Sequence, residues 1–153
     1  MHTFKIRNAR PKEGLYLTVL AVRSKFHWKY PAEFRDGFRE LIKVDEDYIS
    51  KWQVVVVEME GSIAGFYSLE IMKGENRLQN LWIEPSFMGR GLGKALFNHA
   101  KDRAISLGWT QFRIASEPNA EKFYLKLGAT KVGELRSRIM PAVIMPHLEV
   151  LFS

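Results

Sequence analysis

Three glycines spaced two apart, Gly89, Gly91 and Gly93, stand between a strand-like run and an amphipathic stretch in "WIEPSFMGRGLGKALFNHA" (82–100). Arg90 and Lys94 flank them. Small residues let a ligand approach the backbone closely, and the unbonded N–H groups at a helix start can surround a diphosphate. The same sequence would also make a tight strand-to-helix turn with no ligand, but one glycine suffices for that. Three glycines in five residues with two adjacent cations point to anion binding.

Two familiar phosphate loops do not fit. A mononucleotide loop needs G-x-x-x-x-G-K-[ST], whereas here Gly93-Lys94 is followed by Ala95, and the residue five before Gly93 is Met88. A dinucleotide fingerprint needs G-x-G-x-x-G at the first strand of a parallel unit, and the last glycine interval here is wrong.

The surrounding elements must hold this turn in place. "TFKIRNA" (3–9) reads as an opening strand. From Glu13, Leu15, Val19, Val22 and Phe26 recur at helical spacing, predicting a helix that ends near "HWKY" (27–30). Pro31 opens a second helix with Phe34, Phe38 and Leu41 as its buried stripe, and "DEDY" (45–48) reads as a polar connection. The β-branched "WQVVVVEM" (52–59), then "IAGFYSLEI" (63–71) and "RLQNLWI" (77–83), read as a three-stranded meander with turns at "EGS" and "KGEN". A helix follows from Gly91 to Leu107 with Phe97, Ala100, Ala104 and Leu107 inward and Gly108 as its C-terminal stop. A strand at 110–116, a short helix at 119–128, and strands at 129–135 and 142–152 complete the chain, the last interrupted by Pro146. The order predicts an α/β protein, a mixed and mostly antiparallel sheet flanked by helices, with residues 1–153 as one domain.

Composition narrows the function classes. The 153 residues are 46% hydrophobic and 26% charged, as in a soluble globular domain. No cysteine is present, which removes disulfides, thiolate metal sites and a thiol nucleophile. No apolar run is long enough to cross a bilayer, and "MHTFKIRNARPKEG" (1–14) lacks the apolar core of a signal peptide, so the expectation is a cytoplasmic protein with no membrane partner. A net charge of +6 suits an anionic ligand; the cations are dispersed rather than gathered into a nucleic-acid tail, so no nucleic-acid partner is expected.

"IEPSFMGRGLGKAL" (83–96) resembles the acetyl-CoA-binding motif of the GNAT acetyltransferases, [QR]-x-x-G-x-[GA]. Its glycines fall on Gly91 and Gly93, and its Gln/Arg position falls on Met88, a departure. "PNAEKFYLKLGATKVGE" (118–134) resembles the motif that follows in the family, and "SKFHWKY" (24–30) and "MPHLEVLF" (145–152) resemble one branch of bacterial members. The resemblance implies the GNAT fold and acetyl-CoA as co-substrate, with no metal.

By the same resemblance, the turn Met88, Gly89, Arg90, Gly91, Leu92, Gly93 and Lys94 holds the pyrophosphate through backbone amides. The strand carrying Leu81, Trp82 and Ile83 runs beside the pantetheine arm, with an amide near Leu81 on the thioester carbonyl, in a gap between splayed parallel strands. Tyr124 matches the tyrosine that protonates the departing sulfur; a phenol with a pKa near ~10 keeps its proton at neutral pH. The other reading of Tyr124 is a buried aromatic, though Phe123 beside it fits that core role. Asn119 is expected to touch the carrier or to cap its helix.

No base is assigned. Gln79 and Asn80 occupy the strand where relatives often place Glu, and neither accepts a proton. Glu70, His27 and Glu84 are candidates by position, beside a water-relayed path. Phe26, Trp28 and Tyr30 either wall an acceptor pocket or staple the helix junction. The expectation is N-acetyl transfer to a primary amine of a small molecule or peptide; the alternative is an acyl-CoA sensor with weak or no turnover. A homodimer through the apolar last strand is allowed.

Overall fold

The computed structural model describes residues 3–152. Seven strands form one sheet in the order β1-β2-β3-β4-β5-β7-β6, from β1 (Phe4–Asn8), β2 (Gln53–Met59), β3 (Ser62–Met72), β4 (Glu75–Ile83), β5 (Gln111–Ala115), β6 (Thr130–Arg136) and β7 (Ile144–Leu151). Every pairing is antiparallel except β4 with β5, and that pair makes a single register match, Arg77 with Arg113. The sheet is therefore notched between β4 and β5.

Helices α1 (Gly14–Phe26), α2 (Arg35–Leu41) and α3 (Glu46–Lys51) come before β2, while α4 (Leu92–Ser106) and α5 (Glu121–Lys126) flank β5 in sequence. Alternation along β2 shows why "VVVV" is buried throughout. Val54 and Val56 pack with Leu17, Leu20, Ala21 and Ile49 on one face. Val55 and Val57 belong to the core built with Leu96, Phe97, Ala100 and Ala104 of α4 on the other.

Several expectations are corrected. "DEDY" does not stay a connection: Asp45 Oδ1 accepts from the Tyr48 amide at 2.9 Å and caps α3. The buried face of α1 is Leu17, Thr18, Leu20, Ala21, Ser24 and Lys25 together with the expected Val22, while Leu15 is 67% exposed. Leu41 of α2 and Leu107 after α4 are also exposed, and the second helix is a 3-10 turn (Ala32–Phe34) leading into α2. Pro146 does not interrupt β7. Its carbonyl accepts from the Ser116 amide at 2.9 Å, so the missing N–H falls where β5 ends and no rung is needed. Nor is β7 an edge: it lies between β5 and β6, so the last strand has no open side for a second copy. No described helix is long and apolar enough to cross a membrane.

Candidate active site

The chain leaves β4, makes a 3-10 turn at Pro85–Phe87 and enters α4 through the glycines. Gly91 caps α4 at φ 81°, ψ 6°, and Gly89 has φ 79°, left-handed conformations that only glycine adopts cheaply. Gly93 is needed for another reason: a Cβ there would lie 3.2 Å from Phe123 Cζ. The first helical bond of α4 runs from the Ala95 amide to the Gly91 carbonyl at 3.2 Å. The amides of Leu92, Gly93 and Lys94 therefore precede the ladder at the positive end of the dipole.

These amides open on a cavity of about 530 Å³ running along the notch. Of the residues expected at the donor site, Leu81, Trp82, Ile83, Met88, Gly89, Gly91, Leu92, Gly93, Lys94, Asn119 and Tyr124 all line it. Arg90 does not. Its guanidinium donates to Glu60 Oε2 at 2.7 Å and lies over the Phe87 ring, so its side chain is held away from the cavity.

The notch has a local cause on β4. Ser68 pairs with Asn80 and Leu69 with Leu78, which leaves Gln79 as an extra, bulged residue on that strand. Beyond the Arg77–Arg113 match, β4 has no partner on its β5 side, so its backbone edge faces the cavity through Leu81 and Ile83. Gln79 Oε1 is buried with no hydrogen-bond partner.

Tyr124 is 5% exposed, packed on Phe97 and Phe123, and still reaches the cavity wall. Burial, and then the negative charge of Glu117, push its phenol well above the usual range. It holds its proton at any physiological pH. Phe123, expected to be a core anchor turned elsewhere, also lines the cavity and roofs Gly93.

Sequence reasoning missed Glu117. It caps the 3-10 turn Pro118–Ala120 by accepting from the Asn119 amide at 3.3 Å, so the cap is Glu117 and not Asn119. Its carboxylate also takes Lys25 Nζ in an ion pair, the Tyr30 hydroxyl at 2.6 Å and Asn119 Nδ2 at 2.6 Å. The Lys25 and Glu117 side chains are only 6% and 8% exposed. This network ties the end of α1 to the segment that presents Tyr124. The signal was an acid directly before Pro118, which reads as an N-cap when looked for.

The candidate bases separate. Glu84 is held by Arg23 through two bonds of 2.7 Å and lies outside the cavity. His27 is exposed and meets Trp28 edge-to-face. Glu70 sits on β3, outside this cavity, where it accepts from the Tyr48 hydroxyl at 2.8 Å. Of the aromatics in "SKFHWKY", Trp28 lines this cavity, Tyr30 joins Glu117, and Phe26 packs edge-on against Tyr30 and Phe38, an arrangement that staples the helix junction. Among the described residues no His, Asp or Glu group has the arrangement of a metal site.

Residues 13–139 match the model of the family described as acetyltransferase (GNAT) domain. The 5-NmdU N-acetyltransferase of Pseudomonas phage PaMx11 is 27% identical over 135 residues, which cover 84% of this chain and 89% of that protein. A GCN5-related N-acetyltransferase of Rhodopseudomonas palustris superposes with a TM-score of 0.82 at 19% identity, over 99% of this chain and 98% of that one. The PaiA N-acetyltransferase of Thermoplasma acidophilum, solved with coenzyme A, gives 0.80 at 16% identity over 98% and 99%. At these identities the two structures speak for the fold.

Proposed function

Since this chain belongs to the GNAT acetyltransferase family and is an N-acetyltransferase by that membership, we propose that it transfers acetyl from acetyl-CoA directly to a primary amine, in the notch between β4 and β5. The observation that carries this reading is one cavity that gathers the free amides of Leu92, Gly93 and Lys94, the unpaired edge of β4 and the Tyr124 hydroxyl. A relative of the same fold was solved with coenzyme A, which supports the donor.

The residues fit that donor. Positive φ at Gly89 and Gly91 keeps side chains off the turn, and the amides that follow hold the pyrophosphate. Met88 contributes its backbone position in place of the usual Gln or Arg side chain. When bound, acetyl-CoA supplies an activated acetyl thioester. The β4 edge near Leu81 orients the pantetheine arm and offers an amide to the carbonyl oxygen, where negative charge grows as the amine attacks. Tyr124 then gives its proton to the leaving sulfur, the amine sheds one proton to water, and that relay returns a proton to the phenolate; burial keeps the Tyr124 proton in place until it is needed. Asn119, at the cavity wall and bonded to Glu117, lies against the carrier.

Titration calorimetry with acetyl-CoA, using adenosine diphosphate as a control, tests the donor site. Binding abolished by Gly91→Glu supports it, and no binding at millimolar ligand sinks it. In a thiol-release assay Tyr124→Phe should retain binding and lower kcat by about 10²- to 10⁴-fold, the range for loss of a proton donor. An unchanged kcat would remove Tyr124 from the mechanism.

A further inference from the structure

A second cavity of about 550 Å³ lies across the notch, and Gln79 and Ala115 line both, so the two meet where β4 and β5 part. A volume of this size suits a small molecule. Its charge is lopsided. Lys25, Lys43, Lys73, Arg77, Arg136 and Arg138 line it against a single carboxylate, Glu70, whereas the whole chain has 23 basic and 17 acidic residues. Lys25 is paired with Glu117 and Arg77 with Glu75. Lys43, Lys73 and Arg138 have no ion-pair partner among the described residues, and Arg136 donates to the neutral Pro141 carbonyl. Four cations thus remain uncompensated by any carboxylate among the described residues.

Two polar groups on the inner wall ask for a donor. Asn80 Nδ2 donates to Ser68 Oγ at 2.8 Å, the Ser68 and Tyr48 hydroxyls lie 2.8 Å apart, and the Tyr48 hydroxyl donates to Glu70 Oε1 at 2.8 Å. Because Tyr48 gives its one proton to Glu70, Ser68 must donate to Tyr48, so the chain runs one way and ends on the carboxylate. That fixes one oxygen of Glu70 and leaves Oε2 without a partner among the described residues. Gln79 Oε1, buried and unpaired at the shared wall, is the second acceptor.

Resting on the acetyl-transfer reading above, we propose that this cavity takes the acceptor, and that the acceptor is a small primary amine that also carries an anionic group, a carboxylate or a phosphate. The amine meets Glu70 and Gln79 beside the notch, and the anion meets Lys43, Lys73, Arg136 and Arg138 at the rim. Polyamines and other dications are rejected by the same four charges.

The test compares matched amines on the full-length protein: β-alanine with propylamine, O-phosphoethanolamine with ethanolamine, and putrescine as the dication. The expected kcat/KM is at least about tenfold higher for the anionic member of one pair, the worth of one charge-assisted bond. Which pair shows the gain distinguishes carboxylate from phosphate. The double variant K43E/R138E should erase that advantage, and Glu70→Gln should weaken both members. Equal or better use of the neutral member in both pairs, or equal or better use of putrescine, overturns the proposal while leaving acetyl transfer standing. Equilibrium dialysis of β-alanine and O-phosphoethanolamine, with and without coenzyme A, decides the matter if nothing is acetylated. Binding lost in K43E/R138E upholds the site, and no binding of either overturns it. Failure of acetyl-CoA to bind would instead overturn the donor reading, and is read separately by calorimetry.

Discussion

The ring of Phe123 abuts the position a Cβ on Gly93 would take, with Cζ 3.2 Å and Cε1 3.3 Å from it. This contact locks the first turn of α4 against α5, and so fixes the amides at the start of α4 against the segment bearing Tyr124. Alanine at position 93 would gain up to about 1 kcal/mol of helix propensity but force the ring to move, an overpacking penalty of about 1–3 kcal/mol. Gly93→Ala should therefore lose about 1 kcal/mol in chemical denaturation, and Phe123→Leu should restore it. A stabilised G93A protein would mean the ring yields freely.

Arg90 and Lys94 flank the same turn but should behave differently. Arg90 points at Glu60, away from the cavity, whereas Lys94 lines it. Arg90→Ala should change the acetyl-CoA dissociation constant less than about threefold, and Lys94→Ala should weaken it about tenfold, as expected for one charged contact. Calorimetry giving the reverse order would place the Arg90 side chain at the ligand.

Lys25 and Glu117 form a buried pair, and breaking such a pair strands a charge. Glu117→Gln should cost about 3–5 kcal/mol of stability, whereas the double replacement Lys25→Met with Glu117→Met should recover most of the loss. Denaturant midpoints check this. A double variant no better than the single would mean that the Tyr30 and Asn119 bonds to Glu117 carry the stability instead of the charge pair.

His99 gives the protein an acid-sensitive step. Its Nδ1 lies 2.7 Å from the Tyr67 hydroxyl, and burial, then the positive charge of Arg103, hold the imidazole below its ordinary value of 6.5. The unfolded chain then binds more protons than the folded one, so stability is complete above pH 6.5 and declines as pH falls toward the lower folded value. Glu13 and Glu75, whose carboxyls sit below 4.5, keep their stabilising charge across that window. Melting temperature should fall between pH 7 and pH 5, and His99→Gln should flatten the fall. An equally steep fall in the variant would shift the cause to another group.

The strands and the glycine turn were legible because each is a local pattern: β-branched runs such as "VVVV", and three glycines in five residues, two of which take φ 79° and 81°. The short α3 was not, since six residues led by Asp45, Glu46 and Asp47 look like a polar loop, although they are an N-cap and an acidic first turn. The inward face of α1 was misjudged because Leu15 and Leu17 are both apolar, and only the position of the sheet decides between them. Eleven of the twelve expected site residues line the cavity and the twelfth, Arg90, is claimed by Glu60, a partner 30 positions away. Glu117, Gln79 and the second cavity depend on a bulge, a cap and a strand order of β5-β7-β6, none of which periodicity reveals.

The single match between Arg77 and Arg113 makes the sheet two leaves joined near one rivet, β1 to β4 on one side and β5, β7 and β6 on the other. A molecule bound in the notch bridges both leaves, so part of its binding free energy goes into fastening the molecule to itself. Hydrogen exchange should then slow across β5 and β7 as well as at the glycine turn when acetyl-CoA is added. If acetyl transfer proceeds in the notch as proposed, the donor acts as a missing strand that arrives with each turnover and departs with the product.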